Sequence, residues 1–244
     1  MKEVSTSRTP EECLRLAMEA TAPAARAQLA EEGLAQPNLL EADTEVLLLR
    51  QLYLAELEAH HFRTAADIAE EMAALGPLKD VAHHDASRAL LALGELREAI
   101  DQQRLAARAA PPDRRSFHYW SLATLLHHNG SYEAAISALA RGERWAHEDR
   151  PLLRAHRAWM ELEVGDSVLG LNVIIGDLEA SKAKNGYGRF VLGMLHHQMG
   201  DPRSAALHLR AFLRRNAAVD MAKAITLREE LRRARSVLAE IESD

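Results

Sequence analysis

Four glycines, Gly94, Gly130, Gly165 and Gly200, stand 36, 35 and 35 residues apart. Around each, one helical pattern ends and another begins. A fixed period of this length limits the chain to stacked copies of one supersecondary unit, each too small to bury its apolar face alone. The clearest copy spans residues 116–142. There Tyr119, Leu122, Ala123 and Leu126 recur on one helical face, Asn129-Gly130 ends that helix, and Tyr132, Ala135, Ile136 and Leu139 mark a second. Five residues after the four glycines come Ala99, Ala135, Gly170 and Ala205. A small side chain there lets the second helix approach the first closely.

The remaining elements follow from start and stop signals. Thr9-Pro10-Glu11-Glu12 opens a helix, with Thr9 as cap, Pro10 at the first helical position and Glu12 placed to close a capping box. That helix is expected to reach Thr21. Pro23 starts another, which breaks between Gly33 and Pro37. Helices are expected from Ala42, from Phe62 to the Gly76-Pro77 break, and from Asp80 to Leu93. Few aromatic residues and many alanines and leucines favour closely packed helices over a sheet, so the expected class is all-α.

Two places depart from the repeat. Ahead of Gly165 the common register puts Arg154, Arg157 and Glu161 inward. Shifting by one residue buries Ala155, Ala158, Trp159 and Leu162 instead, with a turn one residue shorter. In the last copy His196 stands where Leu126 stands in the clearest one, as a satisfied core histidine or a soft spot. Residues 219–242 read as a single helix whose Ala224, Leu227, Leu231, Ala234, Leu238 and Ile241 step by three and four. Such a seam either caps the last hairpin or pairs two chains.

A hairpin of about 34 residues with glycine at the turn and a small residue early in the second helix resembles the tetratricopeptide repeat superfamily. The resemblance is best at 116–149 and poorest at 11–36. It implies a right-handed αα superhelical solenoid of about six hairpins over 9–216, after a flexible segment 1–8 and before a C-terminal capping helix 217–244. It also implies a non-catalytic protein–protein interaction module, serving as scaffold, adaptor or chaperone-like binder, with a peptide or partner helix in a concave groove lined by the first helices. Carried onto this chain, the groove residues are His84, Arg88, Phe117, Trp120, Thr124, His128, His156, Phe190, Met194 and His197. Aromatic, histidine and methionine side chains suit an amphipathic segment. On that expectation Trp120→Glu abolishes binding while the thermal midpoint barely moves. The alternative is that Trp120 and Phe190 pack between repeats. The Lys and Asn clamp that grips a terminal carboxylate in one variant of the family has no counterpart here.

Other functions find little footing. A lone Cys13 supports neither a disulfide framework nor a zinc ribbon. No signal-peptide pattern or membrane-spanning apolar run occurs, so a cytoplasmic location without membrane insertion is expected. Residues 1–75 hold 14 acidic and 6 basic side chains, a balance of −8 that leaves +2 for the remainder. This argues against general nucleic-acid binding. The arginines at 210, 214, 215, 228, 232, 233 and 235 carry the alternative reading, a regulator touching nucleic acid or phosphate through a C-terminal basic face. Glu229 and Glu230 interrupt that face, with Glu229 spaced to pair with Arg233. Gly165–Gly170 and Gly186–Val191 resemble catalytic or nucleotide loops only loosely and lack the preceding strand, so no catalytic residue is assigned. The chain has 12 histidines, several in adjacent pairs, but neighbours in a helix do not share a face. No metal and no cofactor are expected. A monomer or a homodimer through the C-terminal helix fits the seam.

Overall fold

The computed structural model describes residues 8–36 and 40–243. The segment 1–8 thus lies outside the described residues except for Arg8, which pairs with Glu32, and Pro37 lies outside them too. Fourteen α-helices and no strand occur among the described residues. None of these helices is long and apolar enough to cross a membrane. The chain divides into two compact units, Met1–Ala109 and Ala110–Asp244.

The first unit holds α1 (Pro10–Glu19), α2 (Pro23–Leu34), α3 (Ala42–Glu58), α4 (Phe62–Leu75), α5 (Lys79–Leu93) and α6 (Leu96–Ala109), each packed on the next. Thr9 caps α1 by accepting from the Glu12 amide at 3.3 Å. The α1–α3 core is Cys13, Ala30 and Leu48, closed by Leu14, Leu34, Leu40 and Leu52. Alanines 65, 66 and 69 of α4 and 82, 86 and 89 of α5 are buried, and such small side chains let helices pack at short interaxial distance. Tyr53 donates to the Asp85 carbonyl at 2.9 Å, and the buried Asp85 carboxylate takes Arg50 at 3.2 Å and Arg88 at 3.0 Å.

The second unit holds α7 (Pro112–His128), α8 (Tyr132–Glu143), α9 (Arg150–Glu163), α10 (Leu171–Ala180), a 3-10 turn at Lys182–Lys184, α11 (Tyr187–Gln198), α12 (Pro202–Arg215), α13 (Met221–Thr226) and α14 (Arg228–Ser243). Its core is a run of rings: Trp159 meets Phe190 at 5.4 Å, and Phe190 meets Phe212 at 5.3 Å and Tyr187 at 5.5 Å between centroids.

All four periodic glycines have positive φ, between 72° and 89°. The residue after each donates its amide five residues back, Glu95 to Leu90, Ser131 to Leu126, Asp166 to Glu161 and Asp201 to His196, at 2.9–3.0 Å. That is the helix end a left-handed glycine makes possible. Ala99, Ala135 and Ala205 are fully buried, as expected of the close-approach positions.

Gly170 is different. It has φ 68°, no atom lies within 4 Å of where its Cβ would stand, and it caps α10 from outside. Whereas α6, α8 and α12 begin two residues after their glycines, α10 begins six after Gly165. The turn is therefore longer, not one residue shorter, because a left-handed Gly170 cannot lie within a helix that starts earlier. The one-residue shift itself is right for Ala155, Ala158 and Trp159, which are buried, while Leu162 is half-buried.

The C-terminal segment is also not one helix. A turn at Leu227 separates α13 from α14. The buried face of α14 is Glu230, Ala234, Val237 and Leu238, with Leu231 and Ile241 only half-buried. The expected heptad seam is replaced by a stripe that carries a carboxylate. Helix α14 packs on α12 and α11.

Close packing around α11 depends on two glycines. A Cβ on Gly188 would overlap the Ala183 carbonyl oxygen, and one on Gly193 would stand 2.5 Å from Leu209 Cδ2. Gly188→Ala is the harsher change, because backbone cannot rotate away as a side chain can. The clash outweighs alanine's better helix propensity, for an expected net loss of about 2 kcal/mol in urea unfolding. An unchanged midpoint would show that the 3-10 turn yields freely.

Candidate partner-binding face

Trp120, Thr124 and His128 lie at four-residue steps on α7 and so share one side of it. Against this side lie His156 of α9, Tyr187 of α11 and Glu230 of α14, while the adjacent His127 meets Trp159 and Glu163 of α9, and Glu163 holds Arg233 of α14. Trp120 donates its indole N–H to Nδ1 of His156 at 3.0 Å and sets its ring edge-on to Tyr187 at 4.7 Å. The His156 ring stacks on Trp159, 5.3 Å away and 9° from parallel. The Tyr187 hydroxyl donates to Glu230 Oε1 at 3.1 Å, and His128 Nε2 lies 3.7 Å from the same oxygen. Glu163 binds Arg233 through one oxygen and His127 through the other, the latter at 2.9 Å. The Arg233 guanidinium lies 5.0 Å from the Trp159 ring centre.

Burial sets the charges in this cluster. It pushes the Glu230 carboxyl up to about 7 and lowers His128 to about 4. Burial also holds His156 well below the usual imidazole range and Tyr187 well above the usual phenol range, the latter reinforced by Glu230. Near pH 6 His128 and Glu230 therefore meet as neutral groups, not as an ion pair. Glu163 goes the other way: despite the opposing cost of burial, hydrogen bonds from His127 and Arg233 lower its pKa. Two buried atoms are left over, since neither Glu230 Oε2 nor Trp159 Nε1 has a hydrogen-bond partner.

Of the ten residues assigned from sequence, this face brings together Trp120, Thr124, His128 and His156. Trp120, Thr124 and His128 are half-buried, with Thr124 donating to the Trp120 carbonyl. His156, Phe190 and Met194 are each only 1% exposed and do not line an open groove. Helix α11 is enclosed by α9, α10 and α12, and everything from Phe190 to Leu195 is buried. Phe117 stands exposed at the edge of this face, its ring centre 6.2 Å from that of Trp120 and T-shaped against His118. His197 is 29% exposed at its side chain, 4.0 Å from Glu240. His84 and Arg88 belong to the first unit, where Gln103 and Arg88 bond the His84 ring and Asp85 binds Arg88.

Tyr187, Glu163 and Glu230 were not among the expected residues, and Arg233 was expected only on the alternative basic face. Glu230 read as a break in a basic run. Its four-residue step to Ala234 places it on the buried stripe, a signal that was there to be used. The basic face itself is partly neutralised: Arg210 pairs with Glu242, Arg232 with Glu229 and Arg233 with Glu163. Glu229 thus pairs with Arg232, not with Arg233.

One trio could hold a metal. Atoms of Glu179, His196 and His208 lie within 4.8 Å of one another, and His196 Nε2 is buried without a hydrogen-bond partner. Arg189 weighs against it by donating to His208 Nδ1 at 3.0 Å. That bond places the ring proton on the Nε2 side and a fixed positive charge beside the trio. The three residues come from α10, α11 and α12, so the sequence alone does not join them.

No protein-family model and no curated protein matches the chain.

Proposed function

We propose that the chain is a non-catalytic protein-recognition module whose units are built from tetratricopeptide-like hairpins, and that α7, α9 and α11 of the second unit form the recognition face for a partner helix. The observation that supports this most is that the face takes a helix of its own chain, α14. Glu230 reaches α7 and α11, and Arg233 reaches α9. An amphipathic helix laid on aromatic and histidine side chains is a recurring mode of peptide recognition. The four glycine turns and the buried alanines that follow three of them support the hairpin reading.

The test is affinity capture from the native host's lysate with wild type and with Phe117→Glu, followed by titration of the purified captured protein against both. Phe117 is 44% exposed, so its replacement is expected to leave the melting curve in place. A protein that binds wild type and binds the folded variant at least ten times more weakly is the expected result. Equal binding to both would put the recognition site elsewhere, and saturable turnover of a small substrate would overturn the reading altogether.

A further inference from the structure

Helix α14 is seated by a short apolar stripe and by several polar side chains. Its buried apolar contribution is Ala234, Val237 and Leu238. At its N-terminal half the contacts are Glu230 to Tyr187 and His128, and Arg233 to Glu163, a residue 70 positions upstream. At the far end Glu240 lies near His197 and Glu242 pairs with Arg210. A terminal cap needs only the last hairpin beneath it. Helix α14 instead reaches back to α7 and α9.

The fit is incomplete where α14 reaches back. Glu230 is 2% exposed, yet its Oε2 has no hydrogen-bond partner, and Trp159, whose ring lies under the Arg233 guanidinium, has a buried Nε1 with no acceptor. Polar atoms buried in this state weaken the seat of α14. The connection also permits release, since Asn216–Asp220, the short α13 and the turn at Leu227 separate α14 from α12.

Resting on the recognition reading above, the geometry points to α14 as a displaceable internal occupant of this face, which accepts from a partner protein an amphipathic helix bearing a carboxyl side chain and, three residues on, an arginine. The recognition elements are in place. Tyr187 and His128 receive the carboxyl, Glu163 receives the guanidinium, and the Trp159 ring lies beside it. Residues three apart on a helix fall on the same side one turn on, as Glu230 and Arg233 do.

The experiment uses the full chain and, as probe, a labelled peptide with the sequence of residues 228–243. Arg233→Glu sets two carboxylates against each other and should release α14. The expected result is faster amide exchange confined to α14, with α7–α12 still protected, and peptide affinity at least tenfold above that of wild type, whose own α14 competes at high effective concentration. The same peptide carrying glutamate at its Arg233 position should bind the variant at least tenfold more weakly. Glu163→Lys combined with Arg233→Glu should restore protection of α14, which separates a broken latch from a misfolded variant. Unchanged protection of α14, loss of protection throughout the unit without rescue by the double variant, or equal peptide affinity for both chains would make α14 a fixed cap and overturn the proposal. Those results leave the recognition reading standing if a captured partner still depends on Phe117. Peptide exchange without any captured partner would do the reverse.

Discussion

Trp120→Glu is expected to destabilise the second unit by about 3–5 kcal/mol, enough to unfold a domain of ordinary stability. The ring packs edge-on against Tyr187, and its N–H is the donor to the fully buried His156. Replacement removes the aromatic contact, leaves His156 Nδ1 without its donor, and places a carboxylate against the Tyr187 ring and the buried His156. Each of these effects is unfavourable, and a buried acceptor deprived of its partner alone costs about 1–3 kcal/mol. Trp120→Phe keeps most of the packing and loses only the hydrogen bond, so it should cost about 1–2 kcal/mol. Urea unfolding at pH 7, followed by circular dichroism, separates the two. If Trp120→Glu melts with wild type, the ring stands on open surface and the sequence expectation for it was right after all.

That contrast shows what the amino-acid pattern could and could not carry. The glycine period located the turns, because a left-handed residue closing a helix leaves a local signature. The buried alanines were equally legible, since a close approach restricts side-chain size at fixed distances from the turn. By contrast, the inward packing of Trp120 was not legible, because its contacts come from His156 in α9 and Tyr187 in α11, far along the chain. Phe190 and Met194 were placed outward by counting along a first helix as if only one face were buried. Helix α11 is covered on several sides, and helical spacing does not reveal how many neighbours a helix has. Gly170 misled for a related reason: a small residue at the right distance reads as a packing position, whereas its backbone conformation makes it part of the turn. Arg233 and Glu163 could not be paired from sequence, because 70 residues separate them. The acid in the stripe of α14 was detectable only by treating Glu230 as buried against its charge.

The burial of Glu230 has a pH signature. Its carboxyl ionises near 4.5 when α14 is released and near 7 when it is seated, so seating is strongest below the first value and weakens as pH rises through the second. The full effect is about 3 kcal/mol. Around it lie His127 and His128 of α7, His156 and Glu163 of α9, Tyr187 of α11, and Glu229 and Arg233 on α14 itself. His128, lowered to about 4, works in the opposite direction. Its contribution is complete above about 6.5 and is lost as pH falls through 4. Between about pH 4.5 and 6.5 the slope from Glu230 offsets that from His128, so the pH profile of wild type alone does not isolate either. The difference between wild type and Glu230→Gln does. The amide keeps an oxygen for Tyr187 and has no charge to bury, so the variant should gain on wild type steadily from pH 5 to pH 7 and then hold an advantage of about 2–3 kcal/mol at pH 8. Amide exchange of α14 gives the local readout and should slow in the variant at pH 8 relative to wild type. A constant difference across the range would mean that Glu230 is solvated, and that α14 does not press it against Tyr187 and His128.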